Sequence, residues 1–135
     1  MANDPNITFN KYQDLTDEET YDLLLYNVLG ALMYVESGIY SYTEGVYTGC
    51  PSYNDSVANI NHAVVIVGRT EDGHWIIKNS WGTDWGEEGY AIIDKDYDCG
   101  LKYRLYELRG SNDPLSGFFL LLSLWTVLIM LLMMI

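Results

Sequence analysis

The chain has 135 residues, two cysteines, two histidines and a formal net charge of −12. That length buries one modest core, and so negative a balance argues against nucleic acid and anionic lipid surfaces as partners, since both carry the same sign. Two cysteines and two well-separated histidines give no ligand spacing for a metal, and no residue pattern implies a cofactor.

Met1 to Pro5 is polar and acidic, and does not read as a signal peptide. Ile7-Thr8-Phe9 suits a short strand. Thr16-Asp17-Glu18-Glu19 has the form of a capping box, with a hydroxyl at the cap and a glutamate three residues on. Tyr21, Leu24, Leu25, Val28 and Leu32 follow at helical spacing, which predicts a helix over 17–29 that Gly30 ends or bends. Residues 31–35 read as a buried strand, 38–49 as an aromatic, turn-rich stretch, and 50–56 as a loop. Tyr90 to Asp94 and the alternating run Tyr103 to Leu108 are the last two strands.

The chain is organised around residues 60–90. The β-branched run at 63–67 predicts a strand buried on both faces. Thr70-Glu71-Asp72-Gly73 is a turn, and Trp75 to Ile77 returns as the second strand of a hairpin. His62 enters the first strand and Asn79 leaves the second, so the hairpin sets them side by side. An imidazole held by a side-chain amide is a positioned general base. The glycines and tryptophans that follow form an irregular aromatic loop able to keep water off the pair.

Asn61-His62-Ala63-Val64 resembles the catalytic-histidine motif of the papain-like cysteine peptidases. Lys78-Asn79-Ser80-Trp81-Gly82, followed by Trp85-Gly86 and Gly89-Tyr90, resembles their asparagine motif. The likeness runs from about residue 7 to 108. It implies an α+β fold, the C-terminal β-barrel half of the papain-like architecture with one N-terminal helix. It also implies His62 as general base and acid, Asn79 as its orienting partner, and Trp81 and Trp85 as shielding indoles. Ile60, Asn61, Ala31 and Met33 would lie near the main specificity pocket, favouring apolar side chains. Cys50 and Cys99 match positions where the family places a disulfide, a bridge worth roughly 4 kcal/mol in the chain-entropy model.

The family's chemistry also needs a cysteine thiolate beside the histidine. Only 61 residues precede His62, and no Cys-Gly-Ser-Cys-Trp-like segment is among them. Cys50, twelve residues before His62, and Cys99, after the asparagine, do not match the nucleophile. Gln13 does not stand where the family keeps its oxyanion-hole glutamine. The resemblance therefore covers the half that carries the base and lacks the half that carries the nucleophile.

Residues 118–135 are eighteen in number and uncharged. As a helix they reach about 27 Å at 1.5 Å per residue, close to a bilayer core. The expected organisation is thus a domain over 1–109, a linker over 110–117 and a transmembrane helix over 118–135. A tail exchanged for a glycolipid at Gly110, Ser111 or Asn112 is the alternative. Lys102, Arg104 and Arg109 before the span favour a cytosolic domain. The disulfide favours a secretory, lysosomal, vacuolar or extracellular face, and the resemblance sides with it.

Two functions of different class follow. One is a cysteine-type peptidase acting on peptides or proteins, this chain supplying its C-terminal half and a separate chain or upstream segment the helical half. The other is a membrane-anchored, non-catalytic remnant or binding module. A fragment with no fold of its own is a third expectation.

Overall fold

The computed structural model describes residues 7–110. Seven strands and two short helices follow in the order β1 (Ile7–Gln13), α1 (Asp17–Leu24), β2 (Leu29–Met33), β3 (Val46–Tyr47), α2 (Tyr53–Ala58), β4 (His62–Arg69), β5 (Trp75–Lys78), β6 (Tyr90–Ile93) and β7 (Arg104–Gly110), with a 3-10 turn at Ser37–Ser41. They form one mixed sheet, β1-β7-β2-β4-β5-β6-β3. The order is open, with β1 and β3 at its edges, so the expected barrel does not close among the described residues. β3 is only two residues long and pairs β6 in parallel, which leaves little edge to close against.

The chain divides into two compact units. Residues 10–107 make one; residues 1–9 and 108–135 make the other. In the second, the described residues are the outer ends of β1 and β7, where the Thr8 hydroxyl donates to the Arg109 carbonyl at 3.4 Å.

The capping box forms as the sequence requires. The Glu19 N–H donates to Thr16 Oγ1 at 3.3 Å, and the Thr16 N–H donates to Glu19 Oε2 at 2.9 Å. Helix α1 nevertheless ends at Leu24, five residues short of the expected end. Leu29 and Gly30 belong instead to β2, which lies between β4 and β7. Gly30 faces Val65 on one side and Tyr106 on the other. Two flanking ladders outweigh the helix preference of Leu and Ala. Tyr21, Leu25 and Val28, expected on the buried face, are exposed.

The hairpin forms where expected, with Val65 opposite Lys78 and Arg69 opposite Trp75. Strand β4 alternates rather than being buried on both sides: Val64 and Ile66 are buried, Ala63 is exposed and Val65 half-buried. Its inward residues join Leu29, Ala31, Met33, Trp75, Ile77, Ala91, Ile93 and Leu105 in one core. Residues 53–58, partly assigned to a loop, form α2, capped by Ser52 through the Asp55 N–H. Cys50 and Cys99 are bridged with their Cα atoms 5.0 Å apart, as the resemblance implied.

Among the described residues no helix is long and apolar enough to cross a membrane. The linker beyond Gly110 and the span expected over 118–135 lie outside the described residues.

Candidate active site

His62 is the first residue of β4, and Asn79 follows the last residue of β5. The antiparallel register brings them together: His62 Nε2 is 2.9 Å from Asn79 Oδ1. The same Oδ1 accepts the Ser80 backbone N–H at 2.8 Å. An atom receiving a backbone N–H is the amide oxygen, so His62 Nε2 is the protonated nitrogen that donates to it. In the neutral ring the lone pair then sits on Nδ1. The imidazole is thereby oriented and its tautomer assigned by one amide, which carries no charge. Asn79 is 8% exposed, dry enough for that bond to hold its direction.

The loop over residues 80–89 closes above the pair. The Trp81 ring lies 4.9 Å from the His62 ring, tilted by 37°. Trp85 meets Trp81 edge-on at 5.2 Å, and its indole N–H donates to the Ile39 carbonyl at 2.9 Å. Trp81 is half-buried and covers the pair, whereas buried Trp85 braces Trp81 from behind. The loop needs glycine at its two tightest points. A Cβ on Gly86 would come 2.4 Å from the Tyr90 carbonyl oxygen, and one on Gly89 would come 3.2 Å from that of Gly82, both at positive φ. The Asn79 N–H donates to the Gly89 carbonyl at 2.9 Å, tying the loop's end back to its start.

Two residues at this site carried no role in the sequence. Tyr40, on the 3-10 turn, stacks on Trp81, the ring that lies against His62: the two ring centroids are 4.9 Å apart and the planes 16° from parallel. It lay in a stretch legible only as aromatic and turn-rich. Ser80 supplies the backbone donor that fixes the Asn79 amide, a contact no side-chain motif encodes. Behind Trp85, the Tyr42 hydroxyl donates to the Gly45 carbonyl at 2.6 Å. Burial pushes its phenol up from the ordinary tyrosine range, and Glu87 adds to the rise.

The residues expected to shape specificity are placed differently from one another. Ala31 and Met33 are 2% and 0% exposed, so their side chains belong to the core floor beneath the site. Met33 pairs with His62 across the β2–β4 ladder. The Asn61 side chain is spent on the backbone of Val35, accepting its N–H at 2.9 Å and donating to its carbonyl at 3.0 Å. Ile60 is half-buried in the loop before β4. A groove of ≈ 460 Å³ runs along the exposed side of the hairpin, lined by Ala63, Val64, Val65, Lys78, Asn79 and Ser80. Cys50 and Cys99 are joined to each other, so neither offers a thiol to His62.

A model of the papain family cysteine proteases matches residues 4–107. Pro-cathepsin H of Mus musculus is 36% identical over 105 residues, covering 75% of this chain and 30% of that protein. Vignain of Vigna mungo is 41% identical over 86 residues, covering 56% of this chain and 22% of that protein. The chain thus spans less than a third of these curated relatives. Among solved structures, the ragweed pollen cysteine protease Amb a 11 in its proform superposes with a TM-score of 0.64 at 30% identity, covering 78% of this chain and 30% of that one. The bromelain protease from Ananas comosus superposes with a TM-score of 0.61 at 23% identity, a likeness of fold. The architecture is papain-like, with a mixed sheet and few helices.

Proposed function

Because this chain belongs to the papain family of cysteine proteases, we propose that it supplies the general-base half of a cysteine-type peptidase. The bond from His62 Nε2 to Asn79 Oδ1, 2.9 Å long beneath the Trp81 indole, is the observation that carries this reading. His62 Nδ1 takes the proton of a thiol and later returns it to the leaving amine. Asn79 holds the ring in plane without adding charge, and Trp81, braced by Trp85, keeps water from competing for the bond. Ile60 borders the substrate path, while Ala31, Met33 and Asn61 shape it from beneath through the core and the Val35 backbone. The substrate is a peptide bond, and the thiol comes from outside this chain's own two bridged cysteines.

The test is reconstitution with a separately produced helical half of a papain-family enzyme. The chain alone should hydrolyse no peptide amide. With the complement, hydrolysis should appear, vanish in His62→Ala and persist at a reduced rate in Asn79→Ala, because the base remains but swings. Full activity in His62→Ala would overturn the assignment.

The second reading, a binding module without chemistry, is favoured by one observation: both cysteines are committed to the bridge. Peptide then lies in the groove along Ala63, Val65 and Lys78. Binding that survives His62→Ala, with no turnover under any complementation, supports it.

We further propose that residues 118–135 anchor the chain in a membrane on a lumenal or extracellular face, where the bridge is stable. Support comes from eighteen consecutive uncharged residues. The full chain should resist alkaline carbonate, and Leu128→Arg should weaken insertion by about 2.5–3.5 kcal/mol.

A further inference from the structure

Tyr40 is the outlying member of the ring cluster at the site. It sits on the 3-10 turn between buried Ile39 and Ser41. Its own side chain is 62% exposed, so the core does not hold it. Among the described residues its hydroxyl has no hydrogen-bond partner, and its ring has one ring partner, Trp81. The stack is the whole of what this side chain does in the fold.

Trp81 needs a partner of that kind. It stands in the loop over 80–89, outside the named strands and helices. The Trp85 indole N–H donates to the Ile39 carbonyl at 2.9 Å, whereas the Trp81 N–H has no acceptor among the described residues. The plane of the Trp81 indole is therefore set by its ring neighbours. Trp85 meets it edge-on at 82°, and His62 is tilted from it by 37°. Among the described residues only Tyr40 lies close to parallel, 16° away at 4.9 Å. An edge-on neighbour hinders sliding but leaves an indole free to roll about its side-chain bonds. A ring laid against its face resists the roll, because the indole edge would have to pass through it.

The turn that carries Tyr40 is itself fixed. The Ile39 carbonyl accepts the Tyr42 N–H at 3.2 Å as well as the Trp85 indole, and the Ser41 hydroxyl donates to the Gly38 carbonyl at 3.1 Å. The turn and the site loop are thus joined by a hydrogen bond at Ile39 and by a stack at the next residue.

We propose that Tyr40 is a positioning residue for His62 that acts through Trp81, its stacked ring keeping the indole over the bond from His62 Nε2 to Asn79 Oδ1. This rests on the general-base reading above and adds to it a residue from outside the hairpin. Without the indole, water competes for the Nε2 proton, and a ring that leaves Asn79 no longer presents Nδ1 in a fixed direction. An aromatic pair contributes modestly, so losing the stack should shift the balance between a covering and a swung-out indole by roughly two- to tenfold.

The experiment follows the isotope-labelled full chain, kept in solution with a mild detergent, by nuclear magnetic resonance. In Tyr40→Ala the His62 Nε2 proton should exchange with water roughly two- to tenfold faster, and the His62 ring signals should lose part of the shift that the indole imposes. Tyr40→Phe should match the parent, because the hydroxyl has no partner. Tyr40→Leu, which keeps an apolar contact without a flat ring, should behave like Tyr40→Ala. Backbone amides of β4 and β5 should keep their protection in all three, since Tyr40 lies outside the core. With the complementary helical half supplied, Tyr40→Ala should lower kcat by a similar factor and leave KM nearly unchanged, and Tyr40→Phe should restore the rate. If His62→Ala abolishes turnover while Tyr40→Ala leaves proton exchange and kcat at parent values, the clamp is wrong and the general base stands. A raised KM with kcat kept would make Tyr40 a substrate contact and overturn the positioning role. Full recovery by Tyr40→Leu would reduce the ring to simple cover and overturn the stack. If exchange quickens in Tyr40→Ala but no complement yields turnover that His62→Ala removes, the clamp is supported and the general-base reading falls.

Discussion

The two ends of the β4–β5 hairpin are built from opposite materials. At the open end, where His62 enters and Asn79 leaves, the contacts are an amide hydrogen bond, one backbone donor and a stack of rings running Tyr40, Trp81, Trp85. At the closed end, around Arg69 and Trp75, the contacts are charges. Arg69 pairs with Asp17 at 3.3 Å, and Lys102 pairs with Asp17 and, at 3.6 Å, with Asp98. Both cations also lie over the buried Trp75 ring, Arg69 at 4.9 Å and Lys102 at 6.0 Å. The difference suits the reading proposed above: an amide fixes the direction of the His62 ring without adding a formal charge, whereas ion pairs and cation–π contacts seat α1 and the disulfide loop on the sheet at the closed end.

If the ends are separable, the largest effect should come from Trp75→Ala. Trp75 is 0% exposed, and losing it empties a core site and takes the ring from beneath two cations. A cost of about 3–5 kcal/mol is expected, read from chemical denaturation. The ring signals of His62 should barely move under native conditions. A displaced His62 would break the comparison, because the hairpin would then transmit strain along its whole length.

Asp17→Ala should cost about 1 kcal/mol. Asp17 holds two cations, but its side chain is 37% exposed and solvent already screens it. Asn79→Ala should cost a comparable amount, about 1–2 kcal/mol, through the two hydrogen bonds its Oδ1 accepts from His62 and the Ser80 N–H at the opposite end. The two differ in what they move. Asn79→Ala should broaden or shift the His62 ring resonances and leave α1 protected from exchange. Asp17→Ala should loosen α1 and leave His62 alone.

The open end was far more legible in the sequence than the closed one. His62 and Asn79 are set by a local hairpin whose turn, Thr70 to Gly73, is written in consecutive residues. The Cys50–Cys99 bridge followed from likeness to the family. The closed end joins Asp17, Arg69, Asp98 and Lys102, whose separations reach 85 positions; no local pattern links them. Glu107 makes the same point. Its alternating strand reads as apolar at Leu105, yet the next inward residue is a glutamate, 0% exposed and held by Asn27 and Tyr12 from distant segments. Helix α1 stops short of its helical spacing for a related reason. Leu25 and Val28 keep helical spacing, but Leu29 to Met33 finds ladders on both sides, and that pairing is invisible in the segment itself.

The smallest expected effect tests whether the closed end is tuned as well as charged. Asp98 is 4% exposed, and burial raises its carboxyl above the ordinary range. The Lys102 ammonium at 3.6 Å and the Gly100 N–H, donating at 2.9 Å, pull it down without cancelling the rise. A carboxyl whose folded value is raised holds its proton better folded than unfolded. Its contribution to stability is therefore fully present below the unfolded carboxyl range, near pH 3.9, and is lost as pH rises through the folded value. Asp98→Asn keeps an oxygen for the Gly100 N–H and removes the group that ionises. Relative to the parent, D98N should gain nothing at the acid end and should gain progressively toward neutral pH, levelling once Asp98 is ionised in both states. One pKa unit corresponds to about 1.4 kcal/mol, and the lost pairing with Lys102 keeps the net gain below what the shift alone would give. The measurement is the difference in melting temperature between the two proteins across that range. A difference that runs the other way, with D98N weaker as pH rises, would mean that the Lys102 pair outweighs desolvation. The closed end would then be held by its ion pairs at every pH, and Asp98 would count as one of its supports rather than its one strained member.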